Sequence, residues 1–385
     1  MKIPFQKVSS GRDHLLVISQ LPPPVHGSTV MTEVFLGSLD RLDLEWTLID
    51  RRFSSRIDEV GKVTLRKVSA AIGIMGRLTH AIVRTNPSAV VFFCTTRTVS
   101  FLVDWLLSEI IRVSRIPSIN YIHTQGYSEL AHRNVFFRFM VERMLGAASQ
   151  TVCLSPVLYA DISPWVAVDT VTFIANTPHD MPAELVNHET ASRRVTFLSN
   201  FIPGKGIDTF LEVAIGLSAR HPDVVFDVIG ASADENQLSR LKRVVDDAGV
   251  SSRFNFAGAV RGAEKWKYLQ KSSLLVFASQ LTSEAQPLTI IEAFACGTPV
   301  AAFKIGGTVD LIVDRQTGLL VEPISSSAML AAVDGLLTSP GLLGAYGRQA
   351  ASEFSRRFSY ETYQRQWADV LSSERVREAG SLHAT

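Results

Sequence analysis

The sequence contains few cysteines and no arrangement of them that would hold a metal or a disulfide framework. Cys94, Cys153 and Cys296 lie far apart, their number is odd, and no C-x-x-C pair occurs. This scarcity excludes a disulfide-stapled secreted fold and a cysteine-ligated zinc site. We expect three buried thiols in a reducing compartment, and therefore a cytoplasmic protein.

Long apolar runs are also missing. The most apolar stretch, Phe101 to Val113, is interrupted by Asp104, Glu109 and Arg112, and no run of about eighteen apolar residues occurs. The beginning of the chain contains no apolar core typical of a signal peptide. We therefore expect neither a transmembrane helix nor a secretory signal.

A surplus of charge is absent as well, because the net charge of the 385 residues is only +1. This balance gives no argument for a nucleic-acid partner. Between residues 51 and 84, however, basic residues outnumber acids by eight to two. The basic residues are Arg51, Arg52, Arg56, Lys62, Arg66, Lys67, Arg77 and Arg84. A second segment interleaves arginines with apolar residues, namely Arg133, Phe136, Phe137, Arg138, Phe139, Met140, Arg143 and Met144. Such segments suit an anionic lipid surface at the inner face of the cell membrane, and a solvated face with ordinary core aromatics is the alternative.

Apolar strands alternating with helical stretches account for most of the chain. Runs of this kind predict strands at Leu15–Ser19, Val90–Phe93, Ser118–Ile122, Thr151–Leu154, Thr172–Ala175, Val195–Ser199, Val224–Ile229, Phe254–Ala257, Leu274–Ala278 and Pro299–Ala302. Strands that are apolar throughout and separated by helices indicate parallel sheets covered on both faces. Because the pattern begins twice, we predict an α/β protein with two doubly wound, Rossmann-like halves.

The length of the chain and its repeated pattern predict two domains. We place the first domain at 1–180, a polar linker at 181–192, the second domain at 193–371 and a tail at 372–385, and the last helix can return to the first domain. Ligands of doubly wound sheets bind beyond the carboxyl ends of the strands. We therefore expect two halves that face a central cleft, with a site built from the loops that follow strands.

Two of these loops place glycine directly before a helical pattern. Gly27 precedes the first helix, with Ser28 as the expected N-cap, and a missing side chain there lets an anion approach free backbone N–H groups. A stiff turn explains this glycine equally well. Lys205 lies between Gly204 and Gly206 ahead of another helix, which suits a phosphate. The loop is neither a Walker A nor a G-x-G-x-x-G motif, and a solvated lysine is the simpler alternative.

The most informative loop follows the fourth strand of the second half and carries two carboxylates. Glu284 lies in the loop, and Glu292 lies inside the helix that Pro287 begins. The backbone N–H groups of Leu288 and Thr289 would then face a ligand with both phosphate and hydroxyl groups. A capping carboxylate and an exposed helix charge are the alternatives. The apolar neighbours of Glu292 indicate that it needs a partner, yet we expect neither carboxylate to sit in a core.

Together these loops resemble a known family. Glu284 and Glu292 are separated by seven residues, and the sequence E-A-F-A-C-G-T-P-V-A continues from the second of them. With the preceding Lys205-Gly206 loop, this pattern resembles the E-x7-E signature of the retaining glycosyltransferase family 4, which has the GT-B fold. The Pro-Pro-Pro-Val-His-Gly segment and Tyr121-Ile122-His123 resemble a bacterial branch that makes cell-surface polysaccharides. The resemblance extends over residues 14–370.

The resemblance implies roles for individual residues. The amide of Gly27 would face the donor diphosphate, and His123 would lie near the donor sugar. Lys205 would bind the diphosphate. Glu284 would hold hydroxyls of the sugar, and Glu292 would hold the hydroxyls of the ribose.

One position departs from the family pattern, because Asn200 stands where an arginine is usual. Losing a charge-assisted hydrogen bond costs about 1.5–3 kcal/mol. Lys205 would then carry more of the phosphate charge, or another arginine, such as Arg261, would substitute. No D-x-D motif occurs in the chain. We therefore expect no bound metal and no cofactor besides the nucleotide sugar.

The resemblance implies that a sugar passes, with retention, from a nucleotide diphosphate sugar to a hydroxyl of a glycan or lipid-linked acceptor. The leaving phosphate would assist the acceptor from the same face, while the protein orients both substrates. An NAD-linked oxidoreductase is disfavoured by the missing G-x-G-x-x-G motif. A non-catalytic binder of sugar nucleotides stays open, and Asn200 is its best support. The paired glutamates disfavour a nucleotide-sugar epimerase on the same fold.

Overall fold

A computed structural model describes residues 14–23, 27–51, 65–178, 180–182 and 193–373, with the side chains of 65–67 excepted. The chain divides into two compact units. Unit 1 comprises Met1–Leu154, Leu158–Ile174 and Gln364–Thr385, and unit 2 comprises Ser155–Val157 and Ala175–Tyr363.

Unit 1 is built on a parallel sheet, in which the described residues form six strands. These are β1 His14–Ser19, β2 Glu45–Asp50, β3 Ala89–Cys94, β4 Ser118–Ile122, β5 Gln150–Cys153 and β6 Val171–Phe173. The strand order is β2-β1-β3-β4-β5-β6, so the direction in which the chain crosses the sheet reverses between β1 and β3. Central β3 is buried throughout, as expected for an apolar strand covered on both faces.

Unit 2 repeats this architecture with a different strand order. Its described strands are β7 Arg194–Leu198, β8 Val225–Ile229, β9 Phe254–Gly258, β10 Leu274–Phe277, β11 Val300–Phe303 and β12 Gly318–Val321. They lie in the order β12-β11-β10-β7-β8-β9, and all neighbours are parallel. The chain reverses its direction across the sheet between β7 and β10. In open α/β sheets such a switch point is the usual place for a ligand.

Helices follow most strands in both units, and the last three come after the final strand β12. They are α1 Gly27–Arg41, α2 Leu65–Thr85, α3 Thr98–Val113, α4 Tyr127–Arg133, α5 Val135–Gly146, α6 Pro156–Ile162, α7 Ile207–Ser218, α8 Glu235–Asp247, α9 Gly262–Lys271, α10 Leu288–Ala295, α11 Thr308–Leu311, α12 Ser326–Leu337, α13 Pro340–Glu353 and α14 Tyr360–Ser372. In unit 1, Trp367 of α14 packs on Phe35 of α1 at 4.5 Å and on Tyr121 of β4 at 4.9 Å between ring centroids. These aromatic contacts fix the end of α14 to the unit 1 sheet.

The two doubly wound, Rossmann-like sheets predicted from the sequence are confirmed. Each predicted strand overlaps an observed one, but β2 and β12 were not predicted. The expectation that Ser28 caps the first helix is wrong, because α1 already begins at Gly27.

The three thiols are free, and burial raises the pKa of each. Cys94 and Cys153 are buried, whereas Cys296 is partly exposed, which corrects the expectation of three buried thiols. Burial raises the pKa of Cys153 and of Cys296 to about 12, so both are thiols rather than nucleophilic thiolates at neutral pH.

No single helix within the described part of the chain combines the length and the apolar character needed to cross a membrane. One bent pair, Ser326–Leu337 with Pro340–Ser372, meets the criteria of length and composition when its two members are taken together. The inner face of the first member, including Met329 and Val333, is buried in the core of unit 2.

Candidate donor site in unit 2

Two loops meet at the switch point of unit 2 because they follow neighbouring strands, β7 and β10. Gly204 and Gly206 flank Lys205 in the first loop and both have a φ of +84°. A Cβ atom on Gly206 would collide with the carbonyl group of Ala278 at the start of the second loop. Glycine is therefore required here both for the left-handed backbone and for the close approach of the two loops.

The charged side chains of these loops form an ion pair. The Nζ atom of Lys205 donates to Oε1 of Glu284, and the Oγ atom of Ser279 donates to the same oxygen at 2.9 Å. Both charged side chains are largely buried, with 23% and 11% of their surface exposed. The resemblance assigns these two side chains to the diphosphate and to the sugar. In this structure the two groups neutralise each other.

A third loop and a distant residue hold the Glu284 loop in place. The amide of Gly307 donates to the carbonyl oxygen of Glu284 at 2.7 Å, and a Cβ atom on Gly307 would collide with Ala285. Buried Gln286 accepts from the amide of Asn176 at 2.5 Å. The loop that presents Glu284 is thus fixed from two sides, as a preorganised binding group requires.

Helix α10 begins immediately after this loop and carries the second glutamate. Leu288 and Thr289 form its first turn, where backbone N–H groups have no carbonyl acceptor inside the helix. Glu292 lies one turn further and is only 5% exposed, which corrects the expectation that it lies outside a core. Its Oε1 atom accepts from Nζ of Lys265 on α9 at 2.6 Å. The apolar neighbours of Glu292 indicated that this carboxylate needs a partner, and the partner is Lys265. The sequence alone did not identify this lysine.

Asn200 lies near the end of β7, but it contacts neither charged group of the pair. Its side chain is exposed, and its Oδ1 atom accepts from the amide of Ala231 at 3.3 Å. Arg261, considered as a substitute cation, is exposed at the N-terminus of α9, and no contact within the described residues links it to Lys205 or Glu284.

Gly27 and His123 lie in unit 1, apart in the chain from the unit 2 loops. Gly27 begins α1, and a Cβ atom built on it would meet no atom of the described residues within 4 Å. Packing against the described residues therefore does not require this glycine. His123 follows β4 and is buried; its ring stacks on Phe93 at 5.1 Å between centroids, and Tyr121 lies at 4.0 Å.

The buried ring of His123 is electrically neutral. Burial, with a smaller contribution from the charge of Arg51, lowers the pKa of His123 from 6.5 to about 3. Its Nε2 atom has no hydrogen-bond partner among the described residues. A buried polar atom without a partner is costly, so the atom is available to a ligand group.

Sequence reasoning missed a buried ion pair in unit 1. The Nη1 atom of Arg51 lies 2.5 Å and 2.6 Å from the two carboxylate oxygens of Asp104, which is fully buried and also accepts from the amide of Thr95 at 3.0 Å. Burial raises the pKa of Asp104, although Arg51 opposes this effect. The signal was present in the sequence, because Asp104 lies among apolar residues of α3 and a buried acid requires a partner.

Comparison with known proteins agrees with this geometry. Residues 184–362, which include the unit 2 loops, match the family model described as Glycosyl transferases group 1. A D-inositol 3-phosphate glycosyltransferase of Catenulispora acidiphila is 30% identical over 182 residues, which cover 46% of this chain and 42% of that protein. The chain spans less than half the length of the curated relatives that it matches.

Solved structures resemble most of the chain. Sucrose-phosphate synthase from Thermosynechococcus elongatus has a TM-score of 0.72 at 17% identity, over 93% of this chain and 98% of its own. Anabaena HepE, solved in complex with UDP and glucose, has a TM-score of 0.67 at 16% identity, over 94% and 100%. At such identities the likeness shows the fold. Together these findings support the group 1 glycosyltransferase family for residues 184–362 and give the chain the GT-B fold of two Rossmann-like domains.

Proposed function

We propose that this protein is a retaining, family 4-like glycosyltransferase that moves a sugar from a nucleotide diphosphate sugar to a hydroxyl acceptor. The observation that carries the proposal is the Lys205–Glu284 pair at the switch point of the unit 2 sheet. An ammonium group suits a diphosphate, and a carboxylate suits sugar hydroxyls. The UDP and glucose bound to the similar Anabaena protein support a ligand of this class.

The charges of the site suit departure of a nucleoside diphosphate. Lys205 and the first-turn amides of α10 would stabilise the negative charge that develops on the leaving phosphate. Glu284 is engaged by Lys205 and Ser279, an arrangement that favours a role in holding hydroxyls over attack on the sugar carbon. Retention then follows if the leaving phosphate assists the acceptor on the same face of the sugar, as the family resemblance implies.

The proposal is tested by a screen of nucleotide diphosphate sugars. A donor should raise the unfolding temperature of the wild-type protein, and its nucleoside diphosphate should be released during turnover, also in excess EDTA. Lys205→Met should abolish both effects, whereas Lys267→Met, at an exposed position of α9, should leave them unchanged. Binding without turnover would support a non-catalytic binder instead. Absence of any stabilising donor, or NAD bound to the purified protein, would overturn the proposal.

We further propose that the acceptor is a lipid-linked or polysaccharide precursor and that unit 1 meets it at an anionic membrane surface. The α3–α5 face, defined by exposed side chains of these two packed helices, carries the argument: Leu102, Leu106, Val135, Phe136 and Phe139. Trp105 packs on Phe136 at 6.3 Å, and Arg143 lies over the ring of Phe139 at 5.7 Å. The two helices thus form one continuous apolar surface.

Charge favours a bilayer over a second copy of the chain as the occupant of this face. Between residues 133 and 146 three arginines outnumber one acid, although Arg143 is paired with Glu109 of α3 and Arg133 with Glu129 of α4. A symmetric dimer would bring these arginines together, whereas anionic lipid headgroups complement them. Met140 and Met144, which the sequence grouped with this surface, are buried and do not belong to it.

The basic run from Arg51 to Arg84 gives this idea less support. Arg51 is paired with Asp104, and Arg77 donates to the carbonyl oxygen of Asp50 at 2.9 Å. Arg52, Arg56 and Lys62, and the side chains of Arg66 and Lys67, lie outside the described part of the chain.

A further inference from the structure

An ion pair between Lys265 of α9 and Glu292 of α10 has no role in the function proposed so far. Lys265 Nζ lies 2.6 Å from Oε1 of Glu292, and the lysine is the sole described partner of that carboxylate. The pair is enclosed, with 21% and 7% of the two side chains exposed. The second oxygen, Oε2, has no hydrogen-bond partner within the described residues and is therefore open to a ligand.

Stability alone is a weak explanation for this pair. Desolvating two charges costs free energy that their attraction only partly returns, so a buried ion pair is often no more stabilising than apolar residues of similar volume. The surroundings are apolar, because Trp266, Ile290 and Ile291 are buried in one hydrophobic cluster. A carboxylate held there with one open oxygen is better explained by binding than by packing.

Lys265 is held rigidly enough to direct the carboxylate. Its Nζ atom lies 5.2 Å from the ring centroid of the neighbouring Trp266, which is fully buried. Thr298, just beyond α10, donates to the carbonyl oxygen of Leu269 on α9 at 3.1 Å. Both helices are thus fixed against each other, and the position of the ammonium group follows from the fold.

We infer that Lys265 is a positioning residue that holds one oxygen of Glu292 and thereby directs the other oxygen at a vicinal diol, the ribose of the donor nucleotide. This inference rests on the proposed function. The ammonium group occupies one carboxylate oxygen, and the other can accept from ribose hydroxyls. The pair therefore makes the site selective for ribonucleotides over 2′-deoxyribonucleotides, because the deoxy form leaves the desolvated carboxylate with an unmet acceptor.

The test is nucleotide selectivity measured by calorimetry on the full chain. UDP, GDP and ADP are each compared with their 2′-deoxy forms, using wild type, Lys265→Met, Lys265→Arg and the control Lys267→Met. Methionine keeps most of the stem over Trp266 but removes the charge. For the base that binds, wild type should prefer the ribose form about tenfold, equivalent to about 1.4 kcal/mol. Lys265→Met should lose most of this preference, chiefly by weaker binding of the ribonucleotide.

Lys265→Arg should restore part of the preference, and Lys267→Met should retain all of it. In turnover, Lys265→Met should raise KM for the donor and spare kcat, because the ribose is remote from the reacting carbon. Combined with Glu292→Gln, it should add no further loss. A Lys265→Met variant that keeps the wild-type preference overturns the inference while the proposed function stands. Wild type that binds none of the six nucleotides overturns both.

Discussion

At the scale of single residues, burial decides which side chains can change charge. His123 and Asp104 are both buried in unit 1, and burial shifts the pKa of each toward its neutral form. Arg51 stays charged beside Asp104, and its charge adds to the effect on His123. The histidine is therefore a neutral hydrogen-bonding group at physiological pH, which excludes it as a cationic partner for phosphate.

The shifted pKa of His123 predicts a dependence of stability on pH. Because the folded-state pKa is about 3 and the unfolded value is 6.5, the unfolded chain binds an extra proton as the pH falls below 6.5. Folding is thereby destabilised by about 1.4 kcal/mol per pH unit, or about 2 kcal/mol at about pH 5. Urea unfolding at about pH 7 and pH 5 should show this loss in wild type and in His132→Gln, a control at an exposed histidine. A His123→Gln variant with the same loss would contradict the pKa.

Site residues could be predicted from the sequence where they belong to a local motif. The ion-pair partner of a site residue could not be predicted, because it comes from another part of the chain. Glu284, Glu292 and Lys205 were located from their loops, and two of them do meet. The partnership of Glu292 with Lys265 depends on how two helices pack. No local pattern encodes such a contact, although an acid among apolar neighbours shows that some partner exists.

At the scale of elements, the predicted strands were those whose residues are mostly apolar. The two that were missed, β2 and β12, lie at edges of their sheets. β2 begins with an exposed residue and is mostly half-buried, and β12 has only four residues and begins with glycine. An edge strand is covered by fewer neighbours, which weakens the signal in its sequence without removing it, since β6 and β9 at the opposite edges were predicted.

Helix α1 offers a test in which binding and stability move in opposite directions. Gly27→Ala places a methyl group clear of all described residues, so it should preserve the fold and stabilise the helix by up to about 1 kcal/mol. If the amide of Gly27 faces the donor diphosphate, the same methyl group should lower kcat/KM for the donor. Gly37→Ala, in the same helix and equally unhindered, is the control for stability. Unchanged donor use by Gly27→Ala would remove this glycine from the site.

At the scale of the whole molecule, the net charge is only +1, yet the α3–α5 face of unit 1 is locally basic and apolar. Its composition was visible in the sequence, but which of its apolar residues are exposed was not. Phe136 and Phe139 are exposed, whereas Met140 and Met144 face the core. Exposure depends on the helix face that packs against α3, and that face follows from the fold.

Liposome flotation tests the proposed role of this surface. Wild type should bind vesicles containing phosphatidylglycerol and be released by salt. Arg138→Gln should weaken binding by about 1 kcal/mol, roughly fivefold. Phe136→Ser with Phe139→Ser should weaken it further, and Ile324→Ser, an exposed apolar position of unit 2, should have no effect. Equal recovery of wild type with neutral and anionic vesicles would contradict the membrane proposal.

The central claim is that Glu284 and Glu292 divide one sugar nucleotide between them. Calorimetry with a nucleoside diphosphate and with its sugar donor, on wild type, Glu284→Gln and Glu292→Gln, tests it most directly. Glu292→Gln should weaken both ligands alike, by about 1.5–3 kcal/mol. Glu284→Gln should weaken only the sugar donor, and should bind the free diphosphate at least as well as wild type, because Lys205 loses its competing carboxylate. Loss of the free diphosphate in Glu284→Gln but not in Glu292→Gln, or no effect of either change, would contradict the account.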